Sequence, residues 1–180
     1  MIFITGGVRS GKSAFAEQYA LKMDAQKHYY YIATGVAFDE EMKKRIFRHQ
    51  QDRIEQDIPW TTVEMQVEVP MQLKQLSVND VVLFECVTTW LSNVLYRSEG
   101  NDTRSETIHN CIESLQKQLL DWQAQGATII VVSNEVLDEL PSKYEEVNLY
   151  RKLLGNMHQW LVQHSKEAYE VQFQLVQRWK

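Results

Sequence analysis

Cysteine is scarce: Cys86 and Cys111 are the two in 180 residues, and they form no C-x-x-C pair. That excludes a zinc knuckle and a disulfide framework, and it suits a reducing cytosol. Long apolar runs are missing as well. The opening MIFITGG is too short and too soon interrupted by glycine for a signal peptide, and no stretch reaches the ~20 residues that cross a bilayer, so a cytoplasmic protein is expected. Nor is there an excess of base. Lys and Arg number 19 against 24 Asp and Glu, a formal charge of −5, which argues against a general nucleic-acid binder. Repeats, low-complexity tracts and linkers are also absent, and a chain of this length buries one full core, so a single domain over residues 1–180 is expected.

What is present begins at Thr5. The stretch TGGVRSGKS fits G-x-x-x-x-G-K-[ST], the phosphate-loop pattern. It follows the apolar, β-branched run IFIT and precedes SAFAEQYALKM, which reads as helix; strand before and helix after is the context the motif requires. Gly6, Gly7, Val8, Arg9, Ser10 and Gly11 can then turn backbone N–H groups toward phosphates, while the helix presents its positive end to the same anion. Lys12 can reach the β and γ phosphates, and the Ser13 hydroxyl can ligate Mg²⁺.

Further along, HYYYIAT, WTTVEMQVEV, DVVLFE, ATIIVVSNE and AYEVQFQLV read as strands. TTWLSNVLY and NLYRKLLGNMHQWLVQ read as helices, and Asp39 is an N-cap for a charged helix EEMKKRIFRHQQDRIEQ. Over 104–125, Ile108, Ile112, Leu115, Leu119 and Trp122 recur at helical spacing until Gly126 stops them. Strands alternating with helices predict an α/β fold with a mostly parallel central sheet and helices on both faces. In such sheets ligands bind at the carboxyl ends of strands, here Gly6, Thr34, Glu85 and Ser133 to Glu135.

Two of these residues carry further chemistry. Glu85 closes VVLFE, where phosphate-loop proteins place an acid for Mg²⁺ or its water; a cap for the next helix is the alternative reading, and Glu135 is a weaker rival for the metal. On a helix His49 has Arg45 one turn before it and Arg53 one turn after, a face suited to a phosphate on or near the imidazole, although a histidine on a polar helix is commonly just solvated. His28, His158 and His164 keep no company that suggests a site.

Taken together and in order, the phosphate loop, YIAT, DEEMKKRIFRH, WTTVE, ECVTTWLSNVL and VVSNEV resemble the adenosylcobinamide kinase/adenosylcobinamide-phosphate guanylyltransferase family of cobalamin biosynthesis. The likeness runs from Met1 to about Val136 and returns through LYRKLLGNMHQWL. It implies a P-loop NTPase of RecA-like fold with two reactions. ATP or GTP phosphorylates adenosylcobinamide; GTP then guanylylates a histidine, and the GMP passes to adenosylcobinamide phosphate. By the resemblance His49 is that nucleophile, in R-I-x-x-H, and Ala33, Thr34, Gly35, Gln50, Gln51, Asp52, Arg53, Glu64 and Glu85 contact guanine nucleotide. Homotrimers are implied too.

Departures cluster late. Arg53 lacks the proline that often follows it, and LDELPSKYEE replaces the glycine-rich segment after SNEV. Lys152 and His158 stand where the family has an acid and an asparagine, and the closing strand lacks its glycine. Set against the resemblance, these changes leave the nucleotide residues intact and bear on the corrinoid contacts it implies, with the trimer interface the second place they could touch.

Overall fold

The structure, a computed structural model, describes residues 1–23, 27–36, 59–136 and 141–180. Its strands are β1 (Ile2–Gly6), β2 (His28–Ala33), β3 (Trp60–Glu64), β4 (Asp80–Glu85), β5 (Thr128–Asn134), β6 (Glu167–Gln172) and β7 (Leu175–Arg178). Its longer helices are α1 (Lys12–Leu21), α2 (Val87–Arg97), α3 (Arg104–Ala124) and α4 (Glu145–His164). The strands form one sheet in the order β3-β2-β4-β5-β1-β6-β7, parallel throughout except for the β6–β7 pair.

Both faces of the sheet are covered, which is why its central strands read as unbroken apolar runs. Side chains alternate across the sheet. Phe3, Val82, Phe84, Ile129 and Val131 meet Trp90, Leu91, Leu119, Trp122, Leu154 and Leu161 of α2, α3 and α4 on one side. Ile2, Ile4, Val81, Leu83, Ile130 and Val132 meet Ala16 and Ala20 of α1 on the other. Two small residues on α1 let that helix lie close to the sheet and hold the loop before it in place.

Two strand expectations need correction. WTTVEMQVEV is a strand only over Trp60–Glu64. Met65 N–H donates the last sheet bond, to Ala33 O at 2.9 Å. Beyond it side chains of α2 take the backbone: Asn93 Nδ2 donates to Gln66 O at 3.0 Å and Trp90 Nε1 to Val67 O at 2.9 Å. Alternation alone cannot distinguish a strand from an extended segment satisfied by a helix. AYEVQFQLV, in turn, is a hairpin folded at Phe173 and Gln174, which have φ of +51° and +65°. The Asp39 cap and its helix lie outside the described residues.

His158 departs furthest from its sequence reading. It is buried on α4, its Nε2 lies 2.7 Å from Ser133 Oγ, and its ring packs on Phe3 at 5.3 Å between centroids. Burial pushes its pKa down to about 4. The unfolded imidazole titrates near 6.5, so between the two values the unfolded chain binds a proton that the folded chain refuses. Stability is therefore fully kept above about 6.5 and falls as pH drops toward 4, by about 3 kcal/mol for this group. His158→Asn keeps a side chain able to hydrogen-bond Ser133 but does not titrate. Urea midpoints at pH 7.5 and 5 are expected to separate less in the variant than in the parent; equal separation would refute this assignment.

Candidate active site

β1 lies between β5 and β6 and delivers the loop at the carboxyl end of the sheet, where Thr5 pairs with Ser133 and Gly6 with Asn134. Two glycines are required there. A Cβ on Gly6 would lie 2.2 Å from Val171 O at the end of β6, and Gly11 has φ +96° where the chain enters α1. Inside the loop Ser10 N–H donates to Gly7 O at 3.2 Å, and the Lys12 ammonium turns back to donate to the same oxygen at 3.1 Å. Arg9, exposed with φ +61°, and Val8, also exposed, form the outer bend. Ser10 Oγ is buried with no hydrogen-bond partner, a spare polar group inside an anion cradle.

Facing the loop is Glu85, at the end of a central strand. One carboxylate oxygen accepts the Ser13 hydroxyl and the other accepts the Tyr31 hydroxyl at 2.9 Å. Tyr31 is itself held by the edge of Trp60, at 5.9 Å between centroids. The backbone below is fixed by Thr34, whose Oγ1 donates toward Glu85 O and Cys86 O, both at 3.0 Å, and accepts Cys86 N–H at 2.8 Å. Asn93 completes the frame by donating to Thr34 O at 2.8 Å. Three chain-distant elements thus aim one carboxylate at the first turn of α1. The pair of hard oxygens from Ser13 and Glu85 fits Mg²⁺, which uses one or two protein oxygens and completes its shell with phosphates and water. Among the described residues no group of three or more His, Cys, Asp or Glu converges to hold a metal without phosphates.

An anion cradle with a carboxylate–hydroxyl pair at its mouth has the donors and acceptors that a phosphate-bearing ligand calls for, and comparison with known proteins narrows the choice. The family model described as cobinamide kinase / cobinamide phosphate guanyltransferase matches residues 2–175. This chain belongs to that family. It is 33% identical over 177 residues to the bifunctional adenosylcobalamin biosynthesis protein CobU of Escherichia coli K12, covering 95% of this chain and 94% of that one. It is 32% identical over 150 residues to the bifunctional protein CobP of Pseudomonas aeruginosa, covering 78% of each. Among solved structures it resembles an ATPase of the type III secretion system, with TM-score 0.54 and 12% identity. The match covers 94% of this chain and 50% of the ATPase, so this chain spans about half of its length. That likeness shows the fold, a RecA-like P-loop architecture. As a cobinamide kinase / cobinamide phosphate guanyltransferase family member the protein is an enzyme of cobalamin biosynthesis. No helix among the described residues is long and apolar enough to cross a membrane.

Within this family frame the residues singled out by sequence fall into two groups. Gly6 through Ser13 come together with Glu85 as described. Ala33 is in register with Glu64 on one side and Glu85 on the other, so these three form a row across β3, β2 and β4. Glu64 is exposed there, Gly35 is half-buried, and Thr34 is fully buried with its hydroxyl spent on the backbone of residues 85 and 86. His49, Gln50, Gln51, Asp52 and Arg53 lie outside the described residues. Ser13 contacts Glu85, and Glu135, the weaker rival, follows Asn134 with its N–H donating to Gly6 O at 2.9 Å. Sequence reasoning missed Tyr31, Asn93 and the β6–β7 turn.

Proposed function

We propose that one domain spanning residues 1–180 carries out both reactions named for its family, using the phosphate loop for each triphosphate. The contact of Ser13 with Glu85 at the mouth of that loop is the observation that carries the reading. In the first reaction the hydroxyl oxygen of adenosylcobinamide attacks the γ-phosphorus of ATP or GTP. The bridging P–O bond breaks, the nucleoside diphosphate leaves, and the hydroxyl proton passes to water. Lys12 and the amides of residues 6–13 stabilise charge on the leaving oxygens. Mg²⁺, held by Ser13 and by Glu85 directly or through water, would neutralise the phosphates and orient them when bound.

In the second reaction a nitrogen of neutral His49 attacks the α-phosphorus of GTP. A P–N bond forms and pyrophosphate leaves. The phosphate of adenosylcobinamide phosphate then takes the GMP, and the imidazole is released. Ala33, Thr34, Gly35, Glu64, Glu85 and the stretch Gln50 to Arg53 serve as guanine-nucleotide contacts, Thr34 through the backbone it fixes. The homotrimer implied by the resemblance belongs to this proposal and is read by molar mass in solution.

The test is purified protein with adenosylcobinamide, assayed with γ-labelled triphosphate for the first product and α-labelled GTP for the second. Both labels entering the corrinoid is the expected result; one alone would reduce the enzyme to a single activity, and neither would leave a nucleotide-binding protein. Glu85→Gln preserves shape and removes charge. It is expected to raise the Mg²⁺ concentration for half-maximal activity at least about tenfold, as loss of a metal-orienting group does. An unchanged Mg²⁺ dependence would leave Glu85 a structural anchor for the Ser13 and Tyr31 hydroxyls; the helix-cap reading is already overturned, because the helix after β4 starts at Cys86 with no side-chain cap hydrogen bond.

A further inference from the structure

The β6–β7 turn has no part in the reactions as described, yet it is built onto the phosphate loop. Gln174 N–H donates to Ser10 O at 2.8 Å, and a Cβ on Gly11 would stand 3.2 Å from Gln174 Cγ. Just before it, β6 runs so close to Gly6 that Val171 O excludes any side chain there. The turn is thus fixed to both ends of the loop. At its tip stands Phe173, 90% exposed, the most exposed of the large apolar side chains among the described residues. Leu175, 75% exposed, follows it.

Phe173 is also in the wrong conformation for its type. Two-residue hairpin turns with positive φ at both positions favour asparagine, aspartate and glycine, and a bulky residue at φ +51° is an outlier. An aromatic ring is therefore held in water, on a strained backbone, where neither folding nor solubility calls for one. Such outliers persist where the ring has a task.

We propose that Phe173 is a stacking platform for the purine base of the nucleoside triphosphate held by the phosphate loop. The inference rests on the phosphate-loop reading above and deepens it. Phosphates bound by the loop amides and Lys12 leave the nucleoside to project past the loop. The turn is fastened to Ser10 and Gly11, where the loop enters α1, and so sets an apolar ring beside that exit. A flat ring pairs with the face of any base, which suits an enzyme that uses both ATP and GTP.

The test compares two probes at saturating Mg²⁺: the β,γ-imido analogue of ATP, and inorganic tripolyphosphate, which has no base. Calorimetric affinities are measured for the parent, Phe173→Gly and Phe173→Trp, with melting temperature and molar mass recorded for each. Phe173→Gly is expected to lose about 10- to 100-fold in analogue affinity and none for tripolyphosphate, with melting temperature unchanged or raised because glycine accepts the turn. Phe173→Trp is expected to retain analogue affinity. Equal analogue affinity in parent and Phe173→Gly would overturn the proposal, and a change of molar mass in that variant would then give the tip to a second copy of the chain. Loss of both probes would overturn it in favour of a role in shaping the loop. A parent that binds neither probe would overturn the phosphate-loop reading itself.

Discussion

Lys12→Ala is expected to lower both the kinase and the guanylyltransferase rates by about 100- to 1,000-fold, the scale of removing a positioned charge from a transition state. One G-x-x-x-x-G-K-S run has to serve both triphosphates, so the two losses should come together. The side chain already turns back over the loop, donating to Gly7 O at 3.1 Å, the bond that a bound phosphate oxygen would replace. Alanine removes the charge and leaves the loop framed by Gly6, Gly11 and the β6 strand, so the variant should fold. Steady-state assays of both half-reactions check this, alongside thermal unfolding. Parent-like rates in both would place triphosphate chemistry elsewhere in the chain.

His49→Ala separates the activities. If the imidazole accepts the guanylyl group, the variant should show no covalent label from α-labelled GTP and no guanylylated corrinoid, a fall to background. The step requires a nitrogen lone pair at neutral pH, and the flanking arginines, always protonated, cannot supply one. Phosphorylation of adenosylcobinamide forms no such intermediate and should continue in part. The parent's label should be acid-labile, as a P–N bond is, so an acid-labile label retained in His49→Ala would move the nucleophile to another histidine. Loss of both activities in a folded variant would instead assign His49 to shared nucleotide binding.

Much of the site could be read from local pattern because its chemistry is local. The loop needs glycines, a lysine and a serine in a fixed spacing between a strand and a helix, and all of these are contiguous. Glu85 was legible as a carboxylate ending an apolar strand, but its partners were not. Ser13 and Tyr31 reach it from α1 and β2, and only the sheet order brings them together. The burial of His158 does have a signal in the sequence: Leu154, Met157 and Leu161 are buried on α4, and that spacing puts residue 158 on the same stripe. The hairpin left almost none, because its turn residues, Phe173 and Gln174, are those a turn rule would reject. The reading of β3 ran too long because β-like alternation continued after the sheet had ended. The face bearing Arg45, His49 and Arg53 remains a reading of the sequence.

The placement of β1 sets the order in which the enzyme can be born. Ile2 pairs with Ile130 and with Glu167, and Gly6 lies against Val171, so β1 has no strand neighbour until two strands made much later follow it. At about 5–20 residues per second the phosphate loop waits for many seconds as unpaired chain. The β2, β3 and β4 strands, adjacent in the sheet and close in sequence, can associate meanwhile. The contact of the hairpin with Ser10 is the last of the loop's supports to become available, because β6 and β7 follow every other strand in the chain.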